Sequence, residues 1–220
     1  MARRDASQVW RGDHPWAVVY DRISGGERLG RLVWRVGMGS DLGLLHRSAA
    51  AELGALPDGA AVLDIPCGGG VALRDLPAGR SVRYVAGDIS PAMLERTRRE
   101  AHRRRVDVEL RECDVHDLAF DDGAFDLVLA FTSLHCFPQP RRAVQEIARV
   151  LAPGGRLAGS TMLTDMGLRH RLGWIGGRTI GVLGPGCTRA DLVTWLEEAG
   201  MHDIVLRPSG GIVYVTATRG

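Results

Sequence analysis

The chain has 220 residues, 45% hydrophobic and 25% charged, which is the size and balance of one globular domain with a buried core. It contains no lysine and no asparagine, which excludes Schiff-base chemistry, P-loop nucleotide hydrolysis, Cys-His-Asn proteolysis and N-linked glycosylation. A formal net charge of +2 argues against a dedicated nucleic-acid binder, and Cys67, Cys113, Cys136 and Cys187 stand at no metal-ligand spacing. The first residues lack a signal peptide's apolar run, and no stretch reaches the ~20 apolar residues of a membrane span. A reduced, cytoplasmic protein is expected.

Taken in chain order, residues 1–56 read as helical, with breaks at Gly25, Gly26, Gly37, Gly39 and Gly43 and a stop at Pro57-Asp58-Gly59. They are expected to form an N-terminal lid on a core spanning 57–220. Short apolar runs then alternate with amphipathic ones. Strands are predicted at 60–65, 82–88, 106–113, 124–131 and 155–163. Helices are predicted to begin near Val71, to run from Pro91 to about Arg104 behind an N-cap at Ser90, and to cover 140–151. Residues 164–187 hold seven glycines around Trp174 and Ile175 and read as an irregular insertion. Thr188 caps a last helix closed by Gly200, and two strands joined by Ser209-Gly210 must pair antiparallel. The sum is an α/β, Rossmann-like, doubly wound sheet of seven strands, mostly parallel with an antiparallel terminal strand.

Ligands of such sheets sit outside the carboxyl ends of the strands, at the switch beside the first. The loop there is VLDIPCGGGV (62–71), whose Gly68, Gly69 and Gly70 permit close backbone approach. A dinucleotide fingerprint needs glycine at 73, where Leu73 stands, so an NAD-dependent oxidoreductase fails on spacing. Asp64, Asp88 and Asp114 follow one another at the ends of the first three strands. One such acid is commonly a cap or a solvated loop residue. Three at one sheet edge point to a ligand with a ribose, a donor-rich base edge and a cationic group.

These residues resemble the class I S-adenosylmethionine (SAM)-dependent methyltransferases over roughly 57–220. VLDIPCGGG resembles the glycine-rich first motif, and GDISPAML (87–94) the acidic ribose motif. ECDVHDLAFDDGAFDLVLAFTSLHCF (112–137) resembles the adenine-binding segment and fourth strand, and ARVLAPGG (148–155) the turn before strand five. WAVVYDRIS (16–24) is similar to the opening of the quinone-biosynthesis subgroup. The resemblance implies that Asp64 and the backbone at Cys67–Gly68 hold the methionine end, with Gly70 allowing close approach. It implies Asp88 at the ribose hydroxyls, Ile89 and Met93 flanking the adenine, and Asp114 and Val115 at its edge. Phe131 and Ser133 then line the path to the sulfonium. Pro66 departs from the pattern, standing where the family usually has its first glycine.

The cofactor supplies the electrophile, and the protein places the acceptor in line, with a base only where the acceptor arrives protonated. His135 is the candidate base, or else a histidine that packs and hydrogen-bonds structurally. Tyr20 closes over the cofactor or substrate, or only anchors its helix. Cys136, taken to lie on an extended segment, should point away from His135, and Cys67 reads as a small buried hydrophobe. The arginines at 96, 98, 99 and 103–105 read as a solvated helix face. Trp10, Trp16, Trp34, Trp174, Met162, Met166 and Ile180 are expected to roof the site with apolar surface. The leading expectation is a methyltransferase acting on O, N or C of a small, partly apolar metabolite, releasing S-adenosylhomocysteine. The alternative is a protein that binds SAM without transferring its methyl, using it structurally or for a rearrangement.

Overall fold

A computed structural model describes residues 10, 11, 28–179 and 181–220. Tyr20, Trp16 and Ile180 lie outside the described residues. Two helices come first, α1 (Arg28–Met38) and α2 (Leu42–Ala55), followed by β1 (Ala61–Asp64) and β2 (Arg83–Asp88). Next are α3 (Pro91–Arg104), β3 (Glu109–Glu112), β4 (Phe125–Ala130), α4 (Pro140–Val150) and β5 (Leu151–Thr161). The chain ends with α5 (Leu168–Thr179), α6 (Arg189–Glu198), β6 (Met201–Ser209) and β7 (Ile212–Arg219).

The seven strands form one sheet in the order β3-β2-β1-β4-β5-β7-β6. All pairs are parallel except those made by β7, which runs antiparallel to both β5 and β6. The expected architecture holds. The order reverses between β1 and β4, and a crevice opens there because the connections leave on opposite faces.

Strand alternation divides the side chains between two cores. Leu63, Ile65, Val85 and Val128 enter the cluster under α4 and α6. Val62, Tyr84, Ala86, Leu127 and Leu129 enter the other, with Trp34, Leu45 and Leu53 of α1 and α2. Residues ahead of the expected boundary at 56 therefore share a core with β1.

Several elements differ from expectation. The helix expected from Val71 is a single 3-10 turn, Ala72–Asp75, which ends where Leu76 becomes extended and Pro77 follows. β3 is shorter than predicted, and its Glu109–Glu112 stretch has little apolar surface to bury. The glycine-rich 164–187 segment contains α5, because Trp174 buries itself in the core and offsets the helix cost of its glycines. Ser90 occupies the N-cap without a side-chain capping bond, and its backbone N–H donates to Asp88 at 2.9 Å. Thr188 forms the capping box with Asp191.

β5 starts directly after α4, and its irregular pairing with β4 at Phe125/Leu127 absorbs Pro153-Gly154-Gly155. Farther along, Gly159 lies so close to β4 that a Cβ there would run into the Ala130 carbonyl. Gly159→Ala is expected to cost roughly 1–3 kcal/mol, lowering Tm by roughly 3–10 °C in a thermal melt. An unchanged Tm would show that β5 can move away from β4.

Candidate active site

Asp64 closes β1 and is 2% exposed, on the face it shares with Val62. Val62 pairs with Tyr84, so the Tyr84 ring reaches along the sheet and its hydroxyl donates to Asp64 Oδ2 at 2.9 Å. Burial pushes the Asp64 carboxyl up to about 7, with the Tyr84 bond opposing and the Asp88 charge adding. Asp88 closes β2 and accepts backbone N–H groups from Gly68 at 2.9 Å and Ser90 at 2.9 Å. Burial raises it to about 6 despite those bonds. Among the described residues neither carboxylate makes an ion pair. Two buried acids without a cation form a site suited to a cationic ligand.

The glycine loop is fixed from both sides. Cys67 N–H donates to Gly87 O at 2.8 Å, and the Thr97 hydroxyl of α3 donates to Gly68 O at 2.8 Å. Pro66 is accommodated by a cis Ile65–Pro66 peptide, and the positive φ angles fall on Gly68 at 52° and Gly70 at 76°. The two glycines serve different ends. A Cβ on Gly68 meets open space, whereas one on Gly70 would touch Thr97 and Glu100 at 3.4 Å. Gly68 therefore leaves room beside the backbone, and Gly70 lets α3 close onto the loop. Cys67 is buried, and burial holds its thiol well above the ordinary range.

Ile89 is half-buried and Met93 buried, both directly beyond Asp88. Asp114 follows β3. Burial alone would raise it, but bonds from the His116 backbone (3.0 Å) and ring (2.5 Å), with Arg11 at 3.8 Å, hold it below the usual carboxylate range. Val115 beside it is buried. After β4, Phe131 is buried and Thr132 takes φ 50°, a strained conformation for a β-branched residue. Its N–H is held by Ser160 Oγ at 3.0 Å. The Ser133 hydroxyl donates to Ala130 O at 3.0 Å.

His135 is 7% exposed, in a 3-10 turn spanning Leu134–Cys136. Nδ1 lies 3.3 Å from both the Met162 backbone N–H and Thr161 Oγ1; when it accepts from the Met162 N–H, the neutral ring carries its proton on Nε2. Burial depresses its pKa to about 4. As placed, the ring donates at Nε2, and a base there requires the other tautomer and loss of that bond. Cys136 lies in the same turn, not on an extended segment, and burial raises its thiol to about 12, which disfavours a nucleophile.

Tyr84, Thr97, His116, Ser160 and Arg11 lie at this edge without having been singled out for it, beside Trp10, which was expected in the roof. Trp10 Nε1 donates to Val182 O at 3.1 Å, bringing the start of the described chain to the 181–187 loop. Thr97 is buried on α3. The others depend on which strand or loop lies alongside. A cavity of about 420 Å³ bounded by Asp122, Gln145, Arg149 and Arg219 lies at the opposite, amino edge of the sheet and holds none of these residues.

Comparison with known proteins agrees with this arrangement. A model described as "Methyltransferase domain" matches residues 63–159. A ubiquinone biosynthesis O-methyltransferase of Xanthomonas axonopodis is 32% identical over 167 residues, 72% of this chain and 68% of the relative. The chain belongs to the class I SAM-dependent methyltransferases. A demethylmenaquinone methyltransferase of Thermus thermophilus is 37% identical over 120 residues, 54% of each chain. Among solved structures, a SAM-dependent methyltransferase from Methanosarcina mazei superposes with TM-score 0.62 at 20% identity, covering 77% of this chain and 96% of that one. No helix among the described residues is long and apolar enough to cross a membrane.

Two outcomes follow from the buried acids and His135. A carboxyl whose folded pKa is raised binds its proton more tightly when folded, so its contribution falls as pH rises through the folded value. Asp64→Asn is therefore expected to stabilise the ligand-free protein at pH 8, by roughly 2–4 kcal/mol, and the gain to disappear at about pH 4. Denaturant melts at both pH values check this, and equal gains at both would contradict it. Histidine ¹⁵N NMR should show His135 neutral with its proton on Nε2 down to about pH 5. A protonated ring at that pH, or the opposite tautomer, would contradict this placement of the proton.

Proposed function

We propose that this methyltransferase binds SAM in the crevice beside β1 and β4 and methylates a small, partly apolar acceptor at O, N or C. The observation that carries the reading is the pair of buried acids, Asp64 and Asp88, beside the open backbone at Gly68. In this reading Asp64 and the Cys67–Gly68 backbone receive the charged methionine end, and Asp88 takes the ribose hydroxyls. Ile89 and Met93 flank the adenine, Asp114 and Val115 meet its edge, and Phe131 and Ser133 line the approach to the methyl. When bound, SAM supplies a methyl on a sulfonium with a good leaving group. The protein's work is orientation and exclusion of water, and the position of His135 favours an acceptor that needs little help losing a proton.

The segment before residue 56 acts as a lid in this reading, supported by Trp10 reaching Val182 and Arg11 reaching Asp114. Tyr20, outside the described residues, is assigned to the acceptor on sequence alone. Relatives named for ubiquinone biosynthesis and demethylmenaquinone favour a quinone-like ring as acceptor. Family membership favours methyl transfer over binding alone.

Calorimetric titration of SAM and S-adenosylhomocysteine tests the site. Wild type is expected to bind both at micromolar Kd, and Asp88→Ala to lose at least tenfold, about 1.4 kcal/mol. Absence of binding in the wild type would overturn the assignment.

A further inference from the structure

Beyond β3 the chain makes a tight turn, Asp114-Val115-His116-Asp117, closed by the Asp117 N–H donating to Asp114 O at 3.0 Å. Within it, two groups of His116 converge on one carboxylate oxygen. The His116 backbone N–H reaches Asp114 Oδ1 at 3.0 Å, and ring Nδ1 lies 2.5 Å from the same atom. The second oxygen is placed differently. Among the described residues Oδ2 has Arg11 beside it at 3.8 Å, which is beyond hydrogen-bond length. One oxygen of Asp114 is thus filled from within the turn, and the other keeps its lone pairs for a donor.

The His116 ring is itself held in place. Its Nε2 accepts from the Gln139 N–H at 3.4 Å, at the start of α4, so the ring proton lies on Nδ1 and is directed at Asp114. Phe137 meets the ring edge-to-face at 5.8 Å between centroids, and Arg142 Nε donates to the His116 carbonyl at 2.6 Å. The side chain is 11% exposed. A run of contacts therefore joins the head of α4 to the acid beyond β3. Packing alone accounts for Phe137, but not for a ring N–H added to an oxygen that the backbone already serves.

The consequence for a ligand follows from donor and acceptor counts. The His116 bonds outweigh burial and hold Asp114 below the usual carboxylate range, so its oxygens only accept. A base edge covering Oδ2 must bring an N–H. An amino substituent does so, whereas a hydrogen on carbon leaves Oδ2 covered and without a donor. Without His116, the carboxylate is free to turn toward Arg11, the nearest cation, and away from the base.

We propose that His116 is a positioning residue: it turns Asp114 so that Oδ2 alone is offered to the ligand, and so makes the site select a base bearing an amino group. The inference rests on the cofactor reading above, in which Asp114 meets the adenine edge, and adds the residue that makes this carboxylate selective.

Calorimetry on the full chain tests it, with S-adenosylhomocysteine and with its counterpart carrying hydrogen in place of the adenine amino group. Wild type is expected to prefer the amino form by roughly tenfold or more. His116→Ala should reduce that preference to about threefold or less. His116→Asn, whose side-chain N–H can stand where Nδ1 stands, should restore it despite lacking the ring that packs on Phe137. A histidine that only packs would leave the two variants alike. Asp114→Asn should lose the preference as fully as Asp114→Ala, because His116 draws the amide oxygen to itself and turns the NH2 toward the ligand's amine.

The proposal is overturned if His116→Ala keeps the wild-type preference, if His116→Asn does no better than His116→Ala, or if Asp114→Asn keeps it. Should a thermal melt show His116→Ala unfolded, His116→Asn and Asp114→Asn decide by the same criteria. Equal binding of both ligands by wild type overturns this inference and leaves the cofactor site standing. Binding of neither removes the cofactor assignment, and this inference with it.

Discussion

Burying two carboxylates at adjacent strand ends is the constraint around which the site is organised. Asp64 and Asp88 have left water without acquiring a cation among the described residues, and each is kept by hydrogen bonds instead: the Tyr84 hydroxyl on one, the Gly68 and Ser90 N–H groups on the other. The Asp88 bonds do structural work beyond satisfying a charge. They tie the glycine loop to β2 and set the point at which α3 begins, so the loop's shape and the acid's position are one feature. The raised proton affinities of both acids are the cost of this arrangement in the absence of a cationic ligand. A site of this kind gains most when positive charge arrives, which is the electrostatic counterpart of the family's cofactor.

The glycine loop illustrates how one sequence motif divides into separate physical tasks. Gly68 adopts a left-handed conformation beside open space, and Gly70 adopts one against α3, where Thr97 and Glu100 leave no room for a side chain. The run GGG reads as a single permissive stretch, yet its first member adjoins open space and its third packs against α3. Thr97 then links the two tasks, packing under Gly70 while its hydroxyl holds the Gly68 carbonyl.

At the far side of the crevice the polar groups are already committed to the protein. The Ser133 hydroxyl is spent on Ala130, and His135 Nδ1 is spent on the Met162 N–H. These bonds hold the strained turn at Thr132 and join the β4 loop to the end of β5.

The sequence by itself determined the architecture and the edge at which the three acids gather, because both follow from local patterns. Apolar runs of strand length, helices with caps and stops, and a linker too short for a crossover require a parallel sheet with an antiparallel end, and the acids at Asp64, Asp88 and Asp114 then fall on one rim. Departures at Val71, at β3 and at α5 are local too: each turns on how much buried surface a short segment can claim. The tertiary structure decided what register and packing control. That Tyr84 reaches Asp64 depends on Val62 lying opposite Tyr84 in β1 and β2, and that His135 is a donor depends on Met162 arriving from β5. That His116 and Arg11 share Asp114 depends on which segments the fold brings to the end of β3. Such pairings join positions tens of residues apart, where a linear pattern carries no information about distance or proton placement.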